Sequence, residues 1–194
     1  MQRYLPLVLI VGLLIAFRIL GGLLLPSEFL PNFQPLAALF FCGALLAPGW
    51  RGFAIPAAIW AVTYPFATGF EHDALAFIAT LSTTLLAFVA IFFMGKALSS
   101  RGFALMLVGS LASAVVFHVL TNGAAWLGNP VYEKTLTGLL GSLWTGHPSY
   151  PLPSWVFFRN FAVANVLFTA IFVGAQFRLP RLTMASPQPT ALAE

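Results

Sequence analysis

Two arginines and five amide or imidazole side chains stand where the sequence is otherwise apolar. Arg18 lies inside the first apolar stretch and Arg159 at the start of the last. Asn32, Gln34, His118, Asn122 and Asn160 have similar surroundings, with Trp126 close by in sequence. A guanidinium pairs bidentately with a carboxylate or phosphate. Amides add directional hydrogen bonds, and an indole face packs against an apolar body. Together these groups have the chemistry to hold a small anionic or polar solute. An ionisable group at the centre of a membrane helix costs roughly 2.5–3.5 kcal/mol on insertion scales, so each is a functional candidate.

Each residue also has a plainer role. Arg18 can extend to the headgroups. His118 and Asn122 are four residues apart on one helix face, which suits a packing pair, and Asn122 precedes Gly123, which suits a helix end. Arg159 sits where the helix macrodipole disfavours a cation, so an anionic partner is expected: Glu133, Glu28 or a bound solute. Trp126, Tyr132 and Trp144 suit an interfacial aromatic belt or a cover over a pocket. No metal site is expected, because His72 and His147 fall in separate loops and Cys42 is the single cysteine. No cofactor is expected. No nucleophile–base pair or paired carboxylates suggest an enzyme.

Composition sets the frame that must position these groups. The chain is 60% hydrophobic and only 7% charged, too few charges for a water-facing surface. The net charge of +4 sits at the ends of apolar stretches, which points to topology rather than to nucleic acid. Six apolar stretches are expected to form an all-α polytopic membrane protein, with residues 1–178 as one transmembrane domain and 179–194 as a disordered cytoplasmic tail. Arg3, Arg51, Lys96, Arg101, Arg178 and Arg181 occupy alternate connections, while Glu28, Glu71, Asp73 and Glu133 occupy the others. Short cationic loops stay inside, so both termini read as cytoplasmic and the eight candidate residues as outward.

The expected helices are about 4–25, a short second piece from the Pro31–Pro35 run to 47, then 53–70, 74–95, 103–122 and 155–177. The second piece is too short for a simple span and suits a tilted or re-entrant segment. Gly12 with Ala16, and Gly43 with Ala47, are small-residue pairs that permit close helix contact. Thr135–Trp144 is too short to span and suits an interfacial or re-entrant helix, and Ser154 suits the cap of the last helix.

The run Asn32-Phe33-Gln34-Pro35-Leu36-Ala37-Ala38-Leu39 resembles the Asn-Phe-x-Pro-x-x-Ala-Leu motif of a family of small bacterial membrane proteins of uncharacterised function. Arg18 precedes it as an arginine does in that family, and Thr121-Asn122, Trp126, Tyr132, Thr135, Gly138 and Leu139 match its later motifs. The resemblance covers most of the chain. That family is distantly similar to the S components of energy-coupling factor transporters. The resemblance implies a six-helix bundle of the bacterial inner membrane that captures a vitamin or similar solute from outside. It also implies docking on a transmembrane coupling protein with ATPase subunits, with Gly12 and Ala16 as loosely matching partner-helix contacts. The family's usual acidic residue in the third stretch is missing from 53–70. The expected function is therefore a solute-binding subunit of an uptake system. The alternative is a non-enzymatic accessory or assembly subunit of a membrane complex.

Overall fold

The structure is a computed structural model, and it describes residues 12, 16, 30–47, 49–68 and 74–178. These form helices α1 (Leu36–Phe41), α2 (Gly43–Leu46), α3 (Arg51–Thr68), α4 (Ala74–Leu98), α5 (Phe103–Gly128), α6 (Leu136–Trp144) and α7 (Ser154–Arg178). Most of the first expected helix, Arg18 included, lies outside the described residues, as do Glu28, 71–73 and the 179–194 tail. Gly12 and Ala16 are both helical. Gly12 is exposed, with nothing described within 4 Å of where its Cβ would stand.

Among the described residues, three helical segments are long and apolar enough to cross a membrane: Phe77–Leu98, Phe103–Gly128 and Ser154–Gly174. Many of their large apolar side chains face outward, including Leu86, Phe93, Val108, Val119, Val163 and Ile171. Lipid-facing helices carry this surface because hydrocarbon is the solvent on that side.

The second stretch is a broken helix at the centre of the molecule rather than a continuous span. Its sequence, Leu-Ala-Ala-Leu-Phe-Phe, has no polar face, and every residue of α1 is buried. A helix apolar on all sides requires neighbours on all sides. Pro35 precedes α1, and Cys42 separates it from α2. At about 1.5 Å per residue the two pieces together reach ~16 Å, roughly half the hydrocarbon thickness.

Aromatic rings fix this central segment in place. Phe40 stacks on Phe88 of α4 at 4.3 Å and meets Phe53 of α3 at 5.3 Å. Phe88 reaches Trp60 and Phe117, and Phe117 stacks on Phe161 of α7 at 4.5 Å. Such pairs each contribute about 0.5–1.5 kcal/mol beyond their buried area. The same contacts give the directions. Residues 53, 60 and 64 of α3 face 92, 88 and 77 of α4, and 117 and 113 of α5 face 161 and 165 of α7, so each pair is antiparallel.

Backbones approach most closely at one end of the bundle. A Cβ on Gly95 would lie 1.7 Å from the Phe41 carbonyl oxygen, and one on Gly43 would lie 2.1 Å from that of Gly52. The small-residue spacing marked Gly43 correctly as a close-contact position, and its neighbours are the Gly52 backbone and the Phe92 ring. Arg51, Lys96 and Arg101 are exposed at this same end, with Lys96 in the last turn of α4, where the macrodipole favours a cation.

Candidate functional site

The opposite end gathers the C-terminal half of α5, the helix α6 and the start of α7. Helix α5 runs to Gly128, six residues beyond its expected end at 122, with Asn129 as C-cap. Gly123 does not stop it, because Ala124, Ala125, Trp126 and Leu127 continue the apolar helical run. Asn122 is consequently an interior residue, not a cap, and Trp126 belongs to the helix rather than to the long connection.

His118 and Asn122 form the hub of a hydrogen-bonded clamp. His118 Nε2 lies 2.9 Å from the Leu143 carbonyl at the end of α6, so this nitrogen carries the proton. His118 Nδ1 then accepts from Asn122 Nδ2 at 3.0 Å, and the same amide also donates to the His118 carbonyl at 3.0 Å. Asn122 Oδ1 accepts from the Ser154 hydroxyl of α7 at 3.1 Å. Ser142 adds a bond from α6 to the Asn122 carbonyl at 3.3 Å. The His118 ring leans on Phe158 at 4.9 Å. Three helices are thus joined through two side chains. Ser154 opens α7, but its hydroxyl serves this clamp. Gly146 has φ +78°, and a Cβ there would stand 2.7 Å from that hydroxyl, so conformation and space both exclude a side chain.

Asn160 joins α7 to the start of the central segment. It is 5% exposed, and its Nδ2 donates to the Pro31 carbonyl at 3.1 Å. Its Oδ1 accepts from Arg159 Nε and a terminal guanidinium nitrogen at 3.2 and 3.1 Å. Arg159 is exposed, with its guanidinium carbon 5.3 Å from the Trp155 ring centre. The expected anionic partner Glu133 is not among its contacts. The neighbouring amide and the indole face take that place, and Glu28 lies outside the described residues. Asn32 has φ 62° in the turn before α1, a left-handed conformation that asparagine tolerates, and its Oδ1 accepts from Gln34 Nε2 at 3.0 Å. Asn32 and Gln34 therefore adjoin the Pro31–Asn160 contact.

Trp126 stands apart from this group. Its Nε1 donates to the Glu133 carbonyl at 2.7 Å, and Lys134 closes the end of α5 on the Trp126 and Asn129 carbonyls. The indole and the ammonium hold the 129–135 turn. In that turn, burial and then the neighbouring Tyr150 push the Tyr132 phenol up, and it remains a neutral donor at physiological pH. Helix α6 forms as expected, with Thr135 as N-cap accepting from the Gly138 amide at 3.1 Å. One of its faces exposes Leu136, Leu140 and Trp144, while Ser142 is buried against the bundle.

Sequence reasoning passed over a deeper polar group. Asn165 and Thr169 of α7, with Ser110 and Ser113 of α5, are fully buried. Asn165 Nδ2 donates to the Ser110 carbonyl at 2.6 Å and to Ser113 Oγ at 2.9 Å. The available signal was an asparagine in the middle of an apolar stretch, the same reasoning that marked Asn122.

The chain belongs to DUF6580, a family of unknown function whose model matches residues 1–185. No curated protein and no solved structure matches the chain.

Proposed function

We propose that this chain is the solute-binding membrane subunit of an uptake system, taking a small polar or anionic solute from the outer face of a bacterial inner membrane. The carrying observation is the meeting of sequence-distant polar residues at the α6 end. Asn160 reaches the Pro31 carbonyl across 129 positions, with Asn32, Gln34 and Arg159 beside it and the His118–Asn122 clamp on the next helix. In this reading Arg159, with Arg18, receives the anionic group of the solute. The amides of Asn32, Gln34, Asn122 and Asn160 exchange internal bonds for bonds to it, and Trp126 borders the entrance. The six-span, S-component-like bundle belongs to the same proposal. So does docking on a transmembrane coupling protein with ATPase subunits through the Gly12–Ala16 face. The exposure of Gly12 supports that contact.

The test is the unfolding midpoint of the purified protein across vitamins, cofactor precursors and small carboxylates or phosphates. A true ligand at about a hundred times its Kd stabilises by about 2.7 kcal/mol. An unchanged midpoint with every compound, together with no ATPase co-purifying from the native membrane, would refute the proposal.

A second reading, an accessory or assembly subunit, is favoured by one observation. The amides of Asn32, Asn122 and Asn160 already bond within the chain. Under that reading, Arg159→Ala or Asn32→Ala disturbs assembly and leaves solute uptake unchanged.

A further inference from the structure

Three threonines in the long helices satisfy their hydroxyls locally. Thr63, Thr83 and Thr121 each donate to the carbonyl one turn back, at 2.7, 2.8 and 2.9 Å. This is the usual way for a hydroxyl in an apolar helix to be satisfied. Thr169 is fully buried, yet its Oγ1 has no hydrogen-bond partner of normal geometry. It faces instead the thiol of Cys42, at the break between α1 and α2.

One turn earlier on the same face stands Asn165, also fully buried. Its amide orientation is fixed. Nδ2 is committed to the Ser110 carbonyl and to Ser113 Oγ, and a flipped amide would set Oδ1 against the Ser110 carbonyl oxygen. Ser113 spends its own proton on the Ser110 carbonyl at 2.8 Å and so accepts from Asn165. Oδ1 is left as a strong acceptor without a donor. Asn165 Oδ1 thus has no donor, and Thr169 Oγ1, one turn on, has only the Cys42 thiol opposite it at the helix break.

We propose that this site holds one neutral hydrogen-bond donor, a single water molecule, shared between α7 and the break at Cys42. The water donates to Asn165 Oδ1, exchanges a bond with Thr169 Oγ1, and has the Cys42 sulfur as a weaker third neighbour. Two to four partners are what a buried water requires. Charge balance selects a neutral guest, since no acidic side chain among the described residues accompanies these oxygens and an uncompensated cation is costly in this setting. The inference is independent of the proposed function.

Thr169→Val and Thr169→Ser test it, with tryptophan fluorescence reporting unfolding in one detergent. Valine keeps the shape and deletes the hydroxyl. The midpoint is expected to fall by about 3 °C or more with Val, and to stay within about 1 °C of the parent with Ser. Replacing sodium by choline is expected to leave the parent midpoint unchanged. An unchanged or raised midpoint for Thr169→Val would show that the hydroxyl is merely unsatisfied, and would overturn the site. A sodium-dependent midpoint that Thr169→Val abolishes would overturn the neutral occupant. If Thr169→Val does not fold, a high-resolution crystal structure of the parent decides. One density peak within hydrogen-bond distance of both oxygens supports the proposal. Hydrocarbon packed against both, or protein donors capping both, overturns it.

Discussion

The two ends of this bundle are fastened by different physics. At the Arg51, Lys96 and Arg101 end, backbones touch through Gly43, Gly52 and Gly95, with no room for even a methyl group. At the α6 end, His118 donates to the Leu143 carbonyl, Asn122 accepts from Ser154, and Asn160 donates to the Pro31 carbonyl in the turn before α1. Backbone contacts between glycines have one geometry. Hydrogen bonds from amides and an imidazole can be exchanged for bonds to another partner, each at a net difference of about 1 kcal/mol. A molecule that opens would open at the second end and pivot on the first.

The contrast can be broken most severely at Gly95. Gly95→Ala places a methyl against the Phe41 carbonyl, which belongs to backbone and cannot rotate aside. The expected loss is about 3 kcal/mol or more, or failure to accumulate in the membrane. Cys42 provides the measurement, since it is the single cysteine and is fully buried. A fluorogenic thiol reagent will label it only as the core opens, and the labelling midpoint should fall sharply.

Asn160→Leu comes next. It removes the donor to the buried Pro31 carbonyl and frees Arg159 from its amide acceptor. An expected cost of about 1–3 kcal/mol follows from leaving a buried carbonyl unpaired. The same labelling assay would show it, and a midpoint equal to the parent would mean that the contact carries no load.

Asn122→Ala is expected to cost about 1–2 kcal/mol by releasing both His118 Nδ1 and Ser154. Its diagnostic feature is locality. Proteolysis should accelerate in the 129–153 connection while Cys42 labelling below the midpoint stays slow.

Lys134→Met is expected to move the midpoint by less than about 2 °C, because Lys134 is exposed and only closes the end of α5. A larger drop would move the 129–135 turn from the margin of the account to its centre.

Much of the helical architecture was legible from hydropathy, because runs such as 74–95 and 155–177 are long and apolar enough to span, and helices formed over both with ends within three residues. The central segment was legible as short, but not as broken at Cys42. The backbones of Gly52 and Gly95 lie against Gly43 and Phe41 on either side of that break, contacts between distant parts of the chain that have no local signature. The end of α5 was misplaced because Gly123 suggested a stop, while the run Ala124 to Leu127 carries the helix onward. His118 and Asn122 were legible as a pair by their spacing. Their partners, the Leu143 carbonyl and Ser154, come from 25 and 32 positions away and no periodicity announces them. Asn165 could have been found by the rule that found Asn122, and the outward cluster drew attention from it.

Hydrogen exchange on the purified full-length protein tests the difference between the two ends most directly. Amides of 136–145 should exchange at least about tenfold faster than those of 39–47 and 91–98, equivalent to ~1.4 kcal/mol less local stability. A solute that raises the unfolding midpoint should slow the first set and leave the second unchanged. Equal protection at both ends, or slower exchange in 136–145 than in 39–47, would contradict the account.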